Sequence, residues 1–269
     1  MEQEALDFIR RNSDRPFFLY LPFIVPHASL QVPDDSLAEY EGAFPHTPYT
    51  GDKGYLPHRT PRAAYAAMIT RMDRSIGRIM SLVKELGLDE NTLFIFTSDN
   101  GPTFNGGTDS AFFESARPLR GLKTQLYEGG IRVPMIARWT GKISPGTVSG
   151  FVSAFWDFLP TLTELAGIRP PGDTDGISLL PTLLGKTHNQ KIHEYLYWEY
   201  LGGQVVRLGD WKGIIPKEGQ PLELYNLKSD IGETTNLADV EKQTAARIEE
   251  ILKTARTESD LFPLVRKKT

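Results

Sequence analysis

An apolar stretch that ends abruptly in polar residues constrains the fold of this chain more than any other feature. Residues 92–101 read TLFIFTSDNG, and most of the first six positions favour a buried strand. Directly before it, residues 63–87 carry apolar side chains at helical spacing and end in Gly87. A helix followed by a buried strand is half of a parallel crossover unit. We therefore predict an α/β domain with a mostly parallel central sheet flanked by helices. The predicted buried face of the helix comprises Tyr65, Met68, Ile69, Met72, Ile76, Ile79, Val83 and Leu86.

Further elements of the same domain are predicted on both sides of this unit. RPFFLYLPF (15–23) predicts a strand buried on both faces, and RVPMIARW (132–139) predicts another strand. SAFWDFLPTLTELAG (153–167) predicts a helix, whose proline either weakens the assignment or places the first turn near Asp157–Pro160. Residues 24–62 and 101–131 predict long loops, and long loops in compact domains are often functional. The predicted apolar side of the helix comprises Trp156, Leu159, Leu162 and Leu165.

The sequence changes in character after about residue 190. HEYLYWEY, GQVVRLGD, WKGIIP and LELYNL are short, rich in aromatic or β-branched residues, and separated by turn residues. This pattern predicts a small antiparallel sheet. An amphipathic helix is predicted over residues 240–258. We therefore predict an α/β domain over residues 1–189 and a C-terminal antiparallel-sheet-plus-helix subdomain over residues 190–269.

Composition excludes several classes of function. The net charge of −4 gives no reason to expect a nucleic-acid or anionic-membrane partner. No apolar run reaches the roughly 18–20 residues that a membrane helix needs. The chain contains no cysteine, which excludes disulfides, thiolate metal sites and a cysteine nucleophile within it. Its first residues predict an amphipathic helix and not a signal peptide.

Polar residues follow two of the predicted strands. His27 comes shortly after the first strand, and Asp99 and Asn100 come directly after the strand at 92–98. Ligands of open parallel sheets bind beyond the carboxyl ends of the strands. Carboxylate and amide oxygens suit Ca²⁺ or Mg²⁺, although Ca²⁺ takes about six to eight oxygens. Two alternatives remain open: Asp-Asn-Gly is also an ordinary turn, and His27 is also suited to a structural hydrogen bond.

A cluster of cations occupies the loop between the strands at 92–98 and 132–139. Lys123 is a good anion ligand, because lysine is a compact point charge with three donors. The alternative is that the cluster is solvated surface. The four cations are Arg117, Arg120, Lys123 and Arg132.

Taken together, five stretches of the chain resemble the type I, formylglycine-dependent sulfatases, the arylsulfatase-like branch of the alkaline phosphatase superfamily. The resemblance implies that Asp99 and Asn100 ligate a divalent cation, usually Ca²⁺ with Mg²⁺ as the other option. It also implies that Lys123 contacts the sulfate and that His27 faces the sulfate and the leaving oxygen. YEGG at 127–130 matches the family pattern, and we assign Glu128 and its two glycines to shaping the loop. The five stretches are PFFLYLPFIVPHASLQVPDD, YAAMITRMDRSIGRIMSLVKELGLDENTLFIFTSDNGP, RGLKTQLYEGGIRVPMIARWTGKI, FVSAFWDFLPTLTELAG and LELYNLKSDIGETTNLA.

The resemblance also exposes a gap. The family's formylglycine is made from Cys or Ser in a Cys/Ser-x-Pro-x-Arg motif, and none of the 19 prolines lies in one. The family's remaining metal aspartates are also missing, because Asp34 and Asp35 follow the wrong element. We expect the chain to correspond to the C-terminal portion of a sulfatase and to be inactive alone. We also expect an N-terminal segment to supply the nucleophile and the remaining strands, without which apolar surface is exposed.

The implied function is hydrolysis of a sulfate ester of an aryl or carbohydrate substrate. One alternative is a phosphate or phosphonate ester hydrolase of the same superfamily, which the few histidines argue against. The other is a non-catalytic module that binds anions or sulfated glycans. The family resemblance implies a periplasmic or secreted location. Six aromatic side chains are candidates for stacking on a sugar or aryl ring, with core packing as the alternative: Tyr40, Phe44, His46, Tyr49, Phe112 and Phe113.

Overall fold

The computed structural model describes residues 1–45 and 47–264, and the chain forms two compact units. No helix in these described ranges is both long and apolar enough to cross a membrane. The units are interleaved along the chain, so the boundary between 189 and 190 stays a prediction. The first unit comprises Met1–Phe94, Pro102–Ser115 and Trp139–Gly141, and the second comprises Ile95–Gly101, Ala116–Arg138 and Lys142–Thr269.

The first unit contains three helices, α1 (Glu2–Arg11), α2 (Asp34–Ala38) and α3 (Pro61–Glu85), followed by a 3₁₀ turn at Asp89–Asn91. The amphipathic start of the chain forms α1, whose apolar face packs on the C-terminal half of α3. Gly87 adopts a φ of 71° just beyond α3, as expected of a residue that ends a helix. Residues of this core are Ala5, Leu6, Ile9, Ile79, Leu82 and Val83.

The predicted helix α3 is confirmed, but its buried face differs in part from the prediction. Met68, Ile79 and Val83 are buried as predicted. Ile69 and Leu86 are each 39% exposed. Leu86 is the C-cap of α3, and part of the buried face is formed by small residues instead. The small buried residues of α3 are Ala63, Ala64, Ala67 and Ser75.

The prediction of a strand buried on both faces at residues 15–23 is wrong. Residues 16–24 belong to no strand, although their side chains alternate between core and solvent. Phe17 and Phe23 contact the core of α1 and α3, whereas Phe18 and Tyr20 are 67% and 69% exposed. Within the described part of the chain no element packs on the outer side of Phe18 and Tyr20, so only one face is buried.

The second unit begins with the strand that follows α3. Strand β1 (Phe94–Thr97) pairs with β2 (Met135–Arg138), and both predicted strands are thus confirmed. Between them lies the short helix α4 (Glu128–Ile131). Helices α5 (Phe158–Leu165) and α6 (Leu180–Leu183) follow β2. Two 3₁₀ turns, at Phe155–Asp157 and Thr187–Asn189, precede α5 and follow α6.

Helix α5 begins where the proline predicts, but a different side of it is buried. Leu159 is 48% exposed, while Asp157 and Thr161 are fully buried. Asp157 is drawn inside because its carboxylate accepts hydrogen bonds from the backbone N–H groups of Ala154 and Ile177, each at 2.8 Å, and lies 2.9 Å from His193 Nε2. A buried carboxylate must be hydrogen-bonded, and these donors fix the orientation of the helix.

The C-terminal part of the second unit is the predicted antiparallel sheet with a helix packed on it. Strands β3 (Leu196–Tyr200), β4 (Gly203–Leu208), β5 (Trp211–Ile215) and β6 (Glu223–Asn226) pair in chain order. Helix α7 (Lys242–Thr254) covers one face of this sheet, which confirms both predictions. The core between them contains Val206, Leu222, Leu224, Ala245, Ile248, Ile251 and Leu252.

Candidate functional site

Strand β1 ends in a turn that presents two oxygen ligands. Asp99 is exposed, and Asn100 is half-buried. The Asn100 side-chain amide donates a hydrogen bond to the Gly101 carbonyl at 2.9 Å, which orients the amide group. Within the described part of the chain, neither the Asp99 carboxylate nor Asn100 Oδ1 accepts a hydrogen bond. Both oxygens are therefore available to a cation.

This turn is fixed in place by helix α4. The backbone N–H of Gly101 donates to the Gly130 carbonyl at 2.9 Å. A Cβ at Gly101 would lie 1.8 Å from the Gly129 carbonyl oxygen, a distance that no side chain can adopt. Glycine at this position is required by the close approach of two backbones and not by its φ angle. Asp99 and Asn100 form a bend, but Gly101 does not adopt the positive φ of an ordinary turn, and its role is to dock the segment on α4.

The turn that carries Lys123 contacts the same helix. The Gly129 N–H donates to the Arg120 carbonyl at 2.6 Å, and a Cβ at Gly129 would lie 2.2 Å from the Gly121 carbonyl oxygen. A Cβ at Gly130 would lie 2.0 Å from the Gln125 carbonyl oxygen. The glycines of α4 therefore shape the loop, as predicted. The Asp99–Asn100 turn and the Lys123 turn share one support.

The other cations of this loop differ from Lys123. Arg120 donates to the Tyr225 hydroxyl and to the Glu233 carbonyl, each at 2.9 Å, and its guanidinium lies 3.8 Å from the centre of the Tyr127 ring. Arg132 lies 3.4 Å from Glu128. These arginines are engaged in holding the loop. Lys123 is half-buried and forms no ion pair with any described residue, so its ammonium is available to an external anion.

Helix α4 is anchored by a buried ionic cluster that the sequence did not reveal. Lys212 on β5 is fully buried, and its Nζ lies 2.9 Å from Glu128 Oε1 and 2.9 Å from Glu233 Oε1. Glu233 Oε2 also accepts a hydrogen bond from the Glu128 backbone N–H at 2.7 Å. Burial raises the pKa of Glu233 despite the neighbouring ammonium group. Glu128 is thus held by both its side chain and its backbone.

A second set of polar contacts supports the same loop. Glu223 on β6 accepts hydrogen bonds from the hydroxyls of Tyr127 and Tyr225 at 2.8 and 2.7 Å. Burial and the Glu223 carboxylate raise the pKa of Tyr127 to about 12, so it stays a hydrogen-bond donor at neutral pH. The only sequence signal for these contacts is the YEGG pattern, because their partners lie about 100 residues further along the chain.

His27 belongs to the first unit and is exposed. Its Nδ1 lies 2.6 Å from the Ala28 carbonyl, and a contact of this kind fixes Nδ1 as the protonated nitrogen. The imidazole ring also meets the Tyr55 ring edge to face, with centroids 5.9 Å apart. The carbonyl contact leaves Nε2 as the nitrogen that can exchange a proton with a ligand.

The oxygen ligands that follow β1 are of the chemical type that a hard cation prefers. Asp99 and Asn100 provide two oxygens, and Ca²⁺ or Mg²⁺ prefers oxygen ligands. Within residues 1–45 and 47–264 no group of three or more His, Cys, Asp or Glu residues is placed to hold a metal. The described residues therefore supply part of a cation's coordination shell.

The predicted aromatic candidates have different environments. Tyr40 and Phe44 stack on each other, and Phe113 packs against Phe44. Phe112 lies beneath the Arg62 guanidinium. Tyr49 is buried beside a cavity of the first unit. His46 lies outside the described residues.

Two family models match the chain. The sulfatase model matches residues 1–168, and the model described as N-sulphoglucosamine sulphohydrolase, C-terminal, matches residues 122–259. The first covers more than half of the chain. The alignment of the sulfatase model includes His27, Asp99, Asn100 and Lys123 within its bounds.

Individual relatives agree with these models. A sulfatase of Formosa agariphila is 33% identical over 254 residues, which cover 85% of this chain and 43% of the relative. The mouse N-acetylgalactosamine-6-sulfatase is 32% identical over 275 residues, which cover 97% of this chain and 47% of the relative. The chain thus spans less than half the length of these two relatives.

A solved structure shows the same fold. The crystal structure of Ps i-CgsB in complex with k-i-k-neocarrahexaose superposes with a TM-score of 0.77 at 26% identity, covering 94% of this chain and 53% of that one. The α/β, alkaline-phosphatase-like fold expected from the sequence is thereby confirmed. The sulfatase model spans most of the length of this chain, and the two relatives align with nearly all of it. This chain therefore belongs to the sulfatase family.

Proposed function

We propose that this chain forms part of a sulfuric ester hydrolase whose substrate is a sulfated carbohydrate. The observation that carries the proposal is the sulfatase match over residues 1–168, which includes all four predicted site residues. The choice of carbohydrate is supported by the relatives, which include N-acetylgalactosamine-6-sulfatases and a structure in complex with a neocarrahexaose.

In this proposal each site residue has one role. Lys123 binds a nonbridging sulfate oxygen and offsets its negative charge, which is supported by an ammonium group without an ion-pair partner among the described residues. His27 donates a proton from Nε2 to the departing alcohol oxygen, a general-acid role typically worth about 10²–10⁴ in rate. Asp99 and Asn100 would hold the divalent cation, which we propose to be Ca²⁺. The cation supplies Lewis-acid polarisation of the sulfate when bound.

The nucleophile is assigned to a segment outside these 269 residues, since no proline of the chain lies in a Cys/Ser-x-Pro-x-Arg motif. We propose that this segment also provides strands that pair beside residues 16–24 and elements that cover their outer face. The alternating exposure of residues 16–24 supports this, because Phe18 and Tyr20 are large apolar side chains left exposed. On its own, the chain is expected to bind sulfate and a cation without turnover.

Titration calorimetry of the 269-residue chain tests the sulfate site. Sodium sulfate is expected to bind weakly, and Lys123→Ala should weaken binding about tenfold or more, since a charge-assisted hydrogen bond is lost. Lys142→Ala, at an exposed lysine of the same unit, is the matched control. Equal sulfate affinity of the Lys123→Ala variant and the unchanged chain would remove Lys123 from the site.

The cation role is tested separately with CaCl₂. Asp99→Ala should abolish the rise in melting temperature that CaCl₂ produces, whereas Asp173→Ala at an exposed carboxylate should not. A 4-nitrophenyl sulfate assay, with and without Ca²⁺, should show no turnover by the chain alone. Clear turnover would show that a nucleophile lies within residues 1–269 and would contradict the assignment made above.

A second candidate function is a non-catalytic module that binds sulfated glycans. The Lys123 ammonium group, which has no ion-pair partner among the described residues, suits anion binding with or without a nucleophile. The two functions differ in one respect: addition of a segment with the nucleophile motif produces turnover in an enzyme and only binding in a module.

A further inference from the structure

The first unit contains a cavity that none of the four predicted site residues lines. Its volume is about 280 Å³, near the lower end of the roughly 300–1,000 Å³ that small-molecule sites occupy. Loop residues 47–53 form one wall, the start of α3 forms the floor, and loop residues 104–109 form the other wall. The side chains that matter for its chemistry are Tyr49, Asp52, Lys53, Arg62, Phe104 and Asp109.

The polar side of the cavity is a fixed ion pair. Arg62 donates to Asp109 Oδ2 from Nη2 at 2.8 Å and from Nε at 3.1 Å, and it also donates to the Pro45 carbonyl at 3.0 Å. Its guanidinium lies 4.1 Å from the centre of the Phe112 ring. Asp109 Oδ1 accepts the Phe112 N–H at 3.0 Å. The Arg62 guanidinium holds the pKa of Asp109 below its usual range, so the pair stays charged.

Two further groups complete the lining. Phe104 is an aromatic side chain that is 47% exposed at the cavity wall. Lys53 is exposed, forms no ion pair with any described residue, and its backbone N–H donates to the Tyr49 hydroxyl at 3.1 Å. The cavity therefore combines an aromatic ring, a hydrogen-bonded donor–acceptor pair and the exposed charges of Asp52 and Lys53.

The loops that line the cavity also contact the neighbourhood of His27. Loop residues 49–55 end at Tyr55, whose ring meets the His27 ring. A Cβ at Gly106 would lie 2.5 Å from the Ala28 Cβ and 3.2 Å from the Tyr55 ring. Both cavity walls thus continue directly into contacts with His27 or its neighbour. Within the first unit, the same two loops therefore connect the cavity with His27.

We propose that the cavity binds the saccharide ring that bears the sulfate ester. A pyranose has an apolar C–H face for Phe104 and vicinal hydroxyls that both donate and accept, which matches the Arg62–Asp109 pair. An aryl ring offers an apolar face to Phe104 but no hydroxyl that could donate to the Asp109 carboxylate or accept from the Lys53 ammonium group. The volume suits one ring. This assignment rests on the proposed function, since it takes His27 as the group that faces the leaving oxygen.

Saturation-transfer NMR on the 269-residue chain tests the proposal with a small panel of sugars. The panel contains galactose, N-acetylgalactosamine and N-acetylglucosamine, each unsulfated and 6-sulfated, together with 4-nitrophenyl sulfate and sodium sulfate. At least one sulfated sugar should bind more tightly than 4-nitrophenyl sulfate. Phe104→Ala should weaken that sugar about fivefold or more, and Asp109→Asn should also weaken it. Phe155→Ala is the matched control, because Phe155 is also 47% exposed and lies in the other unit.

The outcomes separate this proposal from the proposed function. Phe104→Ala should leave sodium sulfate binding unchanged, whereas Lys123→Ala should weaken it. If Lys123→Ala acts as expected but Phe104→Ala leaves every sugar unaffected, the cavity assignment is wrong and the sulfate site stands. If no sugar of the panel binds, or if Phe104→Ala and Phe155→Ala weaken binding equally, the cavity is not a saccharide site. Circular dichroism of each variant must match that of the unchanged chain.

Discussion

The strongest stability prediction concerns Lys212, at the centre of the buried cluster that anchors helix α4. We expect Lys212→Met to destabilise the chain by about 3–5 kcal/mol, the usual cost of leaving a buried charge without its partner. Methionine keeps the length and apolar stem of lysine but removes the ammonium group. That group lies 2.9 Å from carboxylate oxygens of both Glu128 and Glu233 and is fully buried.

The size of this effect depends on what remains near each carboxylate. Glu128 Oε2 keeps Arg132 at 3.4 Å and Arg207 at 3.7 Å, so its charge stays partly compensated. Glu233 keeps only the backbone N–H of Glu128 among the contacts described above, and it is fully buried. Most of the destabilisation should therefore come from the Glu233 carboxylate, which becomes an unpaired buried anion.

The same reasoning gives the pH dependence. Burial raises the pKa of Glu233 above its ordinary value of 4.5, and removing the lysine raises it further. A carboxyl group whose pKa is raised in the folded state does not reduce the free energy of unfolding at a pH below its pKa in the unfolded chain. Stability is lost as pH rises through its pKa in the folded state. The stability difference between Lys212→Met and the unchanged chain should thus be larger at pH 8 than at pH 5.

Urea unfolding followed by tryptophan fluorescence measures this difference, since Trp198 and Trp211 lie in the C-terminal sheet. Lys228→Met, at an exposed lysine after β6, should change stability by less than about 0.5 kcal/mol. Adding Glu233→Gln to the Lys212→Met variant should recover part of the loss at pH 8, because it removes the unpaired charge. A loss below about 1 kcal/mol, or one that is equal at pH 5 and pH 8, would refute the reasoning.

Three further predictions follow from other contacts. Gly129→Ala should weaken sodium sulfate binding in calorimetry, because its Cβ would lie 2.2 Å from a backbone carbonyl oxygen of the Lys123 loop. Gly150→Ala should leave sulfate binding unchanged, because open space surrounds Gly150. Arg78 lowers the pKa of Glu2 to about 2, so the ionised Glu2 contributes stability that is present above pH 4.5 and is lost as pH falls towards 2. Glu2→Gln should remove this contribution, which acid titration followed by circular dichroism can measure. Phe18→Lys should reduce self-association in sedimentation velocity, because Phe18 is 67% exposed on an unpaired extended segment. An unchanged distribution of sedimentation coefficients would show that the exposed face around Phe18 does not mediate self-association.

Local patterns predicted the elements whose partners are close in sequence. Strands β3–β6 pair in chain order, and helix α7 packs on the sheet they form. Each strand carries its own alternation and each connection its own turn residues, so the sequence within each hairpin contains the required information. Helix α3 was predicted for the same reason, since apolar spacing and Gly87 are both local signals.

Predictions failed where the environment of an element is set by distant residues. A continuous apolar run such as residues 15–23 indicates a strand covered on both faces, but the cover of the second face must come from elements distant in sequence, and no described element provides it. On α5, the apolar pattern placed Leu159 inside. The hydrogen bonds of Asp157 to Ile177 and His193 turned another side of the helix inward, and those partners lie 20 and 36 residues away.

The candidate site shows the same limit and its physical cause. The sequence indicated the role of the glycines of α4 and predicted Lys123 as a sulfate ligand, which stays a prediction, because both lie in one short pattern. It did not identify Lys212 or Glu233, because Lys212 is 84 residues and Glu233 is 105 residues from Glu128, and a lysine within an apolar strand has no spacing signal of its own. The C-terminal sheet nevertheless fixes helix α4 through these two residues, and α4 in turn supports both the Asp99–Asn100 turn and the Lys123 turn. The precision of the proposed sulfate and cation contacts therefore depends on a buried ion pair in the C-terminal sheet, and a substitution there should alter ligand affinity without any contact with the ligand.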